Sequence, residues 1–150
     1  MEQRPDFQTK GQNAIKTLYA SGMYLKKASI EENLRELVYF RVSQINGCAY
    51  CLDMHYKDAR AKGETEQRLY GVSAWRETPY YTDRERAALA WAEAVTKCVV
   101  PDEVYDKVKT QFSDEELIDL TLAVTSINTW NRFNIAFAVT AGTYQVGQFG

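Results

Sequence analysis

Ser29-Ile30-Glu31-Glu32-Asn33-Leu34-Arg35-Glu36-Leu37-Val38-Tyr39-Phe40-Arg41-Val42-Ser43-Gln44-Ile45-Asn46-Gly47-Cys48-Ala49-Tyr50-Cys51 reads as a helix, a turn and the start of a second helix. Leu34, Leu37, Val38, Val42 and Ile45 recur at three- and four-residue spacing, the apolar stripe of an amphipathic helix. Ser29 and Glu32 have the spacing of a capping box, which predicts a helix from Ile30 to about Gln44. Ile45-Asn46-Gly47 interrupts it, because Asn-Gly favours a turn. A new helix is predicted from Cys48 to Lys62, with Gly63 as its stop. In a thioredoxin-like protein a CxxC pair follows a strand within a βαβ unit. Here the preceding element is helical, so that fold is disfavoured.

The same grammar extends in both directions. Phe7, Ala14, Ile15, Leu18 and Met23 predict a helix over Phe7 to Lys27, with Ser21-Gly22 as a kink or break. Thr65 caps a short helix to about Val72, and Ser73 to Tyr81, containing Pro79, reads as a loop. Thr82 with Glu85 and Ser113 with Glu116 are two further capping boxes. The first opens a helix through Leu89, Trp91 and Val95; the second opens a long one from Asp114 to about Val139. Between them Pro101-Asp102 starts a helix ending near Phe112. Ala141 to Gly150 is glycine-rich and is expected to be loose unless a partner subunit holds it. No segment alternates with period two, so the expectation is an all-α bundle of six or seven helices in a single domain, residues 1–150.

At 150 residues such a domain buries roughly two-thirds of the surface of its unfolded chain. The net charge of −2 mixes both signs and offers no basic footprint for nucleic acid or anionic lipid. Nothing approaches the ~20 apolar residues of a membrane span. Met1-Glu2-Gln3-Arg4-Pro5-Asp6 is polar and lacks the apolar run of a signal peptide. With an odd count of three cysteines, the expectation is a reducing cytoplasm, where a vicinal pair is catalytic or metal-binding before it is a structural crosslink.

Cys48, Cys51 and His55, the single histidine, share one helical face at i, i+3 and i+7. A cysteine reacts as the thiolate and needs a neighbour that takes its proton or stabilises its charge. Cys48 lies at a helix N-terminus, where unpaired N–H groups favour the thiolate, whereas Cys51 lies one turn before the base His55. Residue types and spacing leave the nucleophile open between them. Redox chemistry competes with a zinc site of Cys48, Cys51, His55 and Cys98, and with inert packing of small cysteines and a core histidine beside Leu52 and Ala59. Haem attachment would require the histidine immediately after the second cysteine. Glu36 falls opposite the apolar stripe of its helix, which suits a solvated carboxylate, yet Tyr39 and Phe40 flank it. Held in apolar surroundings it would have a raised pKa and could shuttle protons to a histidine. In the last helix Asn131 and Asn134 continue the stripe Leu117, Leu120, Val124, Ile127, so each must be hydrogen-bonded or lie beside a pocket.

Glu36-Leu37-Val38 together with Arg41-Val42-Ser43-Gln44-Ile45-Asn46-Gly47-Cys48-Ala49-Tyr50-Cys51-Leu52-Asp53-Met54-His55 resembles the signature of the AhpD-like alkylhydroperoxidases, within the carboxymuconolactone decarboxylase-like family. That pattern sets a glutamate twelve residues before a CxxC and a histidine four after its second cysteine, and Glu36, Cys48, Cys51 and His55 fit it. Ile127-Asn128-Thr129-Trp130-Asn131-Arg132-Phe133 also resembles the closing helix of short members, and the likeness spans about residues 30 to 140. The resemblance implies an all-α subunit in a homo-oligomer, trimer or hexamer, and an antioxidant peroxidase without a cofactor. It implies Cys51 as the peroxidatic cysteine, Cys48 as the resolving one, His55 as the base and Glu36 as the distal end of a proton relay. Its substrate would be an alkyl or hydrogen peroxide and its partner an external dithiol reductant. One departure is Tyr50, where some full-length members carry a second histidine between the cysteines, a change expected to weaken activation of the thiol. The decarboxylase branch lacks the CxxC pair, which argues against lactone decarboxylation. Two other functions fit the same residues, a thiol–disulfide oxidoreductase and an oligomeric redox sensor.

Overall fold

The computed structural model describes residues 4–150, so Met1-Glu2-Gln3 of the polar amino-terminal stretch lies outside the described residues. Among these, eight α-helices and no strand are found: α1 (Phe7–Lys10), α2 (Gln12–Leu25), α3 (Glu32–Asn46), α4 (Ala49–Ala61), α5 (Glu66–Gly71), α6 (Asp83–Thr96), α7 (Asp102–Lys109) and α8 (Asp114–Ala136), with a 3₁₀ helix at Val72–Glu77. The all-α expectation holds. No helix of the described residues is long and apolar enough to cross a membrane.

The additional helix arises at Gly11. The predicted first helix divides there into α1 and α2, and Ser21-Gly22 lies unbroken inside α2. The Gly11 N–H closes the turn on the Phe7 carbonyl at 2.9 Å, and a Cβ on Gly11 would meet that same oxygen at 3.0 Å. The side-chain caps of Thr65, Thr82 and Ser113 form as expected, and the last two complete their boxes through Glu85 and Glu116. The Ser29 box does not form. Its N–H and hydroxyl donate instead to Asp119 Oδ2 of α8 at 3.1 and 2.7 Å, and α3 starts two residues late behind Glu31, which caps with no side-chain bond. A buried carboxylate from a distant helix outcompetes a local cap, because Asp119 is buried and must be satisfied. The stretch read as a loop after Val72 coils into the 3₁₀ helix, pinned by Trp75, whose indole N–H donates to Glu93 Oε1 at 2.9 Å.

α3 is the central element, packed against α4, α6 and α8. On one side Leu34, Val38 and Val42 join Ala88, Val108, Leu120 and Val124 in the larger core. On the other, Leu37 and Phe40 join Ala59, Leu69, Val72 and Leu89. A helix with cores on two sides has little surface left for water. The face opposite the predicted stripe is therefore covered as well, and Arg35 and Glu36 are buried.

Candidate active site

The turn between α3 and α4 builds the site. Gly47 adopts φ +69°, ψ 33°, the left-handed conformation that glycine takes without a Cβ penalty. The Gly47 N–H donates to Gln44 O at 3.3 Å and the Cys48 N–H to Ser43 O at 3.1 Å, which closes α3. Cys48 is then at once the N-cap of α4, its Sγ accepting from the Cys51 N–H at 3.3 Å. The reversal is so tight that α4 runs back along α3. His55 of α4 and Lys62 at its C-cap thereby come to lie against Glu36.

Cys48 and Cys51 form a disulfide with Cα atoms 5.3 Å apart, and both residues are buried. They face different surroundings. Cys51 lines a cavity of about 140 Å³ together with Tyr50, Met54, His55, Trp130 and Asn134. Cys48 lies behind it and is not in that lining. Across the cavity the Asn134 amide donates to Cys51 Sγ at 3.5 Å and to the Trp130 carbonyl at 2.9 Å. Asn131 is fully buried, bonded to Ser43 Oγ at 3.0 Å and accepting from Asn46 at 2.9 Å. Both answers required of core-facing asparagines thus occur, one in each residue.

His55 Nδ1 and Glu36 Oε2 are 2.9 Å apart and buried, and Lys62 Nζ donates to Glu36 Oε1 at 3.0 Å. Burial pushes the Glu36 carboxyl up, but the His55 hydrogen bond and charge and the Lys62 ammonium outweigh it and bring it down to about 2. The expectation of a raised Glu36 pKa is thus overturned: the carboxylate stays ionised because α4 brings a cation to it. An ionised carboxylate only accepts, so Nδ1 carries the proton and Nε2 is the basic nitrogen. The Tyr39 ring packs on the imidazole with centroids 5.0 Å apart and helps fix its plane. Tyr50 stands in the cavity wall, and burial raises its phenol pKa, so it is a neutral hydroxyl at pH 7 and not a second base.

The zinc set Cys48, Cys51, His55 and Cys98 is not assembled. Cys98 is an exposed free thiol just beyond α6. Among the described residues the group with converging donor atoms is Glu36, His55 and Asp58, within 4.8 Å of one another. Asp58, which the sequence did not single out, accepts from the Tyr144 hydroxyl at 2.8 Å. Each donor of this trio is already hydrogen-bonded within the protein, and the Lys62 ammonium sits where it would oppose a cation. The segment 141–150 is not loose as expected: Tyr144 is buried and docks on α4. No local signal marked Tyr144, since its partners lie some ninety residues earlier.

Comparison with known proteins places this geometry. The carboxymuconolactone decarboxylase family matches residues 11–94. The uncharacterized protein YdfG of Bacillus subtilis (strain 168) is 43% identical over 139 residues, which cover 91% of this chain and 95% of that protein. Among solved structures, a protein of unknown function from Agrobacterium tumefaciens, described as a candidate antioxidant defence protein AhpD, superposes with a TM-score of 0.90 at 38% identity, covering 95% of this chain and 100% of that one. An uncharacterized peroxidase-related protein from Silicibacter sp. TM1040 gives a TM-score of 0.77 at 25% identity, over 95% of this chain and 75% of that one. With its family match spanning the hairpin of α3 and α4, the chain belongs to the carboxymuconolactone decarboxylase family, as an AhpD-like member.

Proposed function

We propose that the protein is a thiol-dependent peroxidase in which Cys51 is the peroxidatic cysteine, Cys48 the resolving one, His55 the base and Glu36 a positioning residue. The observation that carries this reading is that Cys51 and His55 open on one small apolar cavity while Cys48 stands behind it. That asymmetry supports a choice between the cysteines that helix position alone left open.

In the first step His55 Nε2 takes the Cys51 thiol proton. The thiolate attacks the terminal oxygen of a hydroperoxide, so that an S–O bond forms and the O–O bond breaks. The leaving alkoxide takes the proton back from His55 and departs as an alcohol, or as water from hydrogen peroxide, leaving Cys51 sulfenic acid. Cys48 then attacks the Cys51 sulfur; the S–S bond forms and hydroxide leaves, protonated to water. An external dithiol returns two electrons and two protons by exchange and is itself oxidised to a disulfide. Glu36, ionised throughout, holds the imidazole in the tautomer that presents Nε2.

Burial of both sulfurs favours a slender substrate over a folded protein disulfide. The deciding experiment is steady-state consumption of peroxide with a recycling dithiol. Turnover is expected. A single oxidation without turnover would identify a redox sensor, and activity confined to disulfides an oxidoreductase. Likeness to the AhpD-like family supports assembly into a homo-oligomer larger than a dimer. Light scattering that reports a monomer at micromolar concentration rejects that assembly.

A further inference from the structure

Residues 141–150 follow α8 without regular structure of their own, yet they are tied to the helix that carries Cys51 and His55. The Gly142 N–H donates to Asp53 Oδ2 at 3.1 Å, Lys57 Nζ to the Tyr144 carbonyl at 3.0 Å, and the Tyr144 hydroxyl to Asp58 Oδ1 at 2.8 Å. All three partners belong to α4. Lys57 Nζ also bonds Asp53 Oδ2 at 2.9 Å, so the anchors form one connected network. The buried Tyr144 ring stacks on Phe149, centroids 5.9 Å apart and planes 23° from parallel. Lys26, the C-cap of α2, holds the Gly150 carbonyl from the other side.

This arrangement sets Phe149 in the wall of the Cys51 cavity. The same ring lines an adjoining chamber of about 360 Å³ that contains Arg35, Glu36, Asp58 and Lys62. Tyr39, Met54, His55 and Phe149 border both spaces, so Phe149 helps to partition an apolar cavity from a charged one. At 42% exposed, a phenylalanine in a segment without helix would be free to turn into water; the stack on an anchored tyrosine holds it over the cavity instead.

We propose that Phe149, held by Tyr144, is a specificity-determining residue that closes the outer wall of the Cys51 cavity and restricts it to slender reactants. The proposal rests on Cys51 being the reactive thiol of the peroxidase described above. Shortening the ring opens the cavity toward the charged chamber and admits bulky reagents; enlarging it narrows the opening further.

The test compares wild type, Phe149→Ala and Phe149→Trp in the fully reduced protein. Alkylation of Cys51 by iodoacetamide and by the bulky N-pyrenylmaleimide is followed by peptide mass mapping, which separates Cys51 from Cys48 and Cys98 and needs no peroxidase activity. Oxidation rates with hydrogen peroxide and cumene hydroperoxide are measured in parallel. Phe149→Ala is expected to raise the bulky-to-small rate ratio by about tenfold or more, the scale on which pocket size discriminates, and Phe149→Trp to lower it. Ratios that agree within about twofold across the three proteins overturn the wall, even where wild type consumes peroxide. A shifted alkylation ratio in a protein that consumes no peroxide supports the wall and sinks the peroxidase reading.

Discussion

In the proposed reaction the rate at Cys51 depends on how much thiolate exists at neutral pH, and three neighbours bear on it. In that proposal His55 takes the proton and Glu36, 2.9 Å from its Nδ1, orients it, while the Asn134 amide points at the sulfur from 3.5 Å. Replacing His55 by Gln should carry the thiol pKa toward its ordinary ~8.5 and slow single-turnover oxidation by peroxide by about 10²- to 10⁴-fold, the usual loss of a positioned base. Glu36→Gln should do the same to a smaller extent, because it acts through His55. Asn134→Leu removes a donor to a charged acceptor, worth about 1.5–3 kcal/mol, and should raise the thiol pKa by about 1–2 units. Thiolate absorbance across pH reads all three variants, and an unmoved titration in Asn134→Leu would show that its amide does not serve the sulfur. Cys48→Ser should spare the first oxidation and trap the sulfenic acid. If it abolished that oxidation while Cys51→Ser kept it, the cysteine roles would be reversed. Glu36 also makes the fold sensitive to acid. Its pKa falls from 4.5 unfolded to about 2 folded, so the unfolded state binds more protons between those values, and the contribution is present above about pH 4.5 and lost as pH falls toward 2. The loss amounts to at most about 3 kcal/mol, and Glu36→Gln should flatten that part of a Tm-against-pH curve. Glu36 was legible as a candidate site residue through the family resemblance, whereas its own helix pattern suited a solvated carboxylate equally well, and its charge state was not legible at all. Burial alone argues for a raised pKa, and the groups that oppose it, His55 of α4 first and then Lys62 at its C-cap, are set against Glu36 by the fold and not by a local pattern.

Among the helices, caps whose partners lie within one turn form as their sequence implies. Thr82 with Glu85 and Ser113 with Glu116 bond within four residues, and both boxes form. Ser29 failed because Asp119, ninety residues away, accepts from it more strongly. The break expected at Ser21-Gly22 falls instead at Gly11, where an added Cβ would meet the Phe7 carbonyl at 3.0 Å, a contact made in three dimensions that the residues around Gly22 do not have. A contrast follows between two glycines that each have nothing within 4 Å of an added Cβ. Gly22 is helical, so Gly22→Ala should stabilise by about 0.5–1 kcal/mol. Gly47 sits at φ +69°, so Gly47→Ala should destabilise by about 1 kcal/mol through the backbone alone. Because Gly47 sets the hairpin that joins Glu36 to His55, its alanine variant should also slow peroxide oxidation, whereas Gly22→Ala should leave the rate unchanged. Denaturant melts with single-turnover rates test both, and opposite signs of the two stability changes are required.

Over the whole molecule, the proposed cycle demands a fold that survives both opening and closing of the Cys48–Cys51 bond. Stability resides elsewhere, in the two cores on either side of α3, whose residues include neither cysteine. The disulfide spans a sequence separation of only three, so it removes little freedom from the unfolded chain. The chain-entropy relation gives about 2 kcal/mol for so small a ring. For a domain of this size each kcal/mol moves Tm by about 2–4 °C, so full reduction should lower it by about 4–8 °C and keep a single cooperative transition. Circular dichroism melts of the oxidised and dithiothreitol-reduced protein measure this directly. A reduced form that loses its helical signal at 25 °C would make the bond a structural crosslink and remove the ground for a catalytic pair. A reduced form that melts within this window leaves the thiols on an intact scaffold, with Cys51 already facing its cavity and Cys48 one turn behind it, ready to close again.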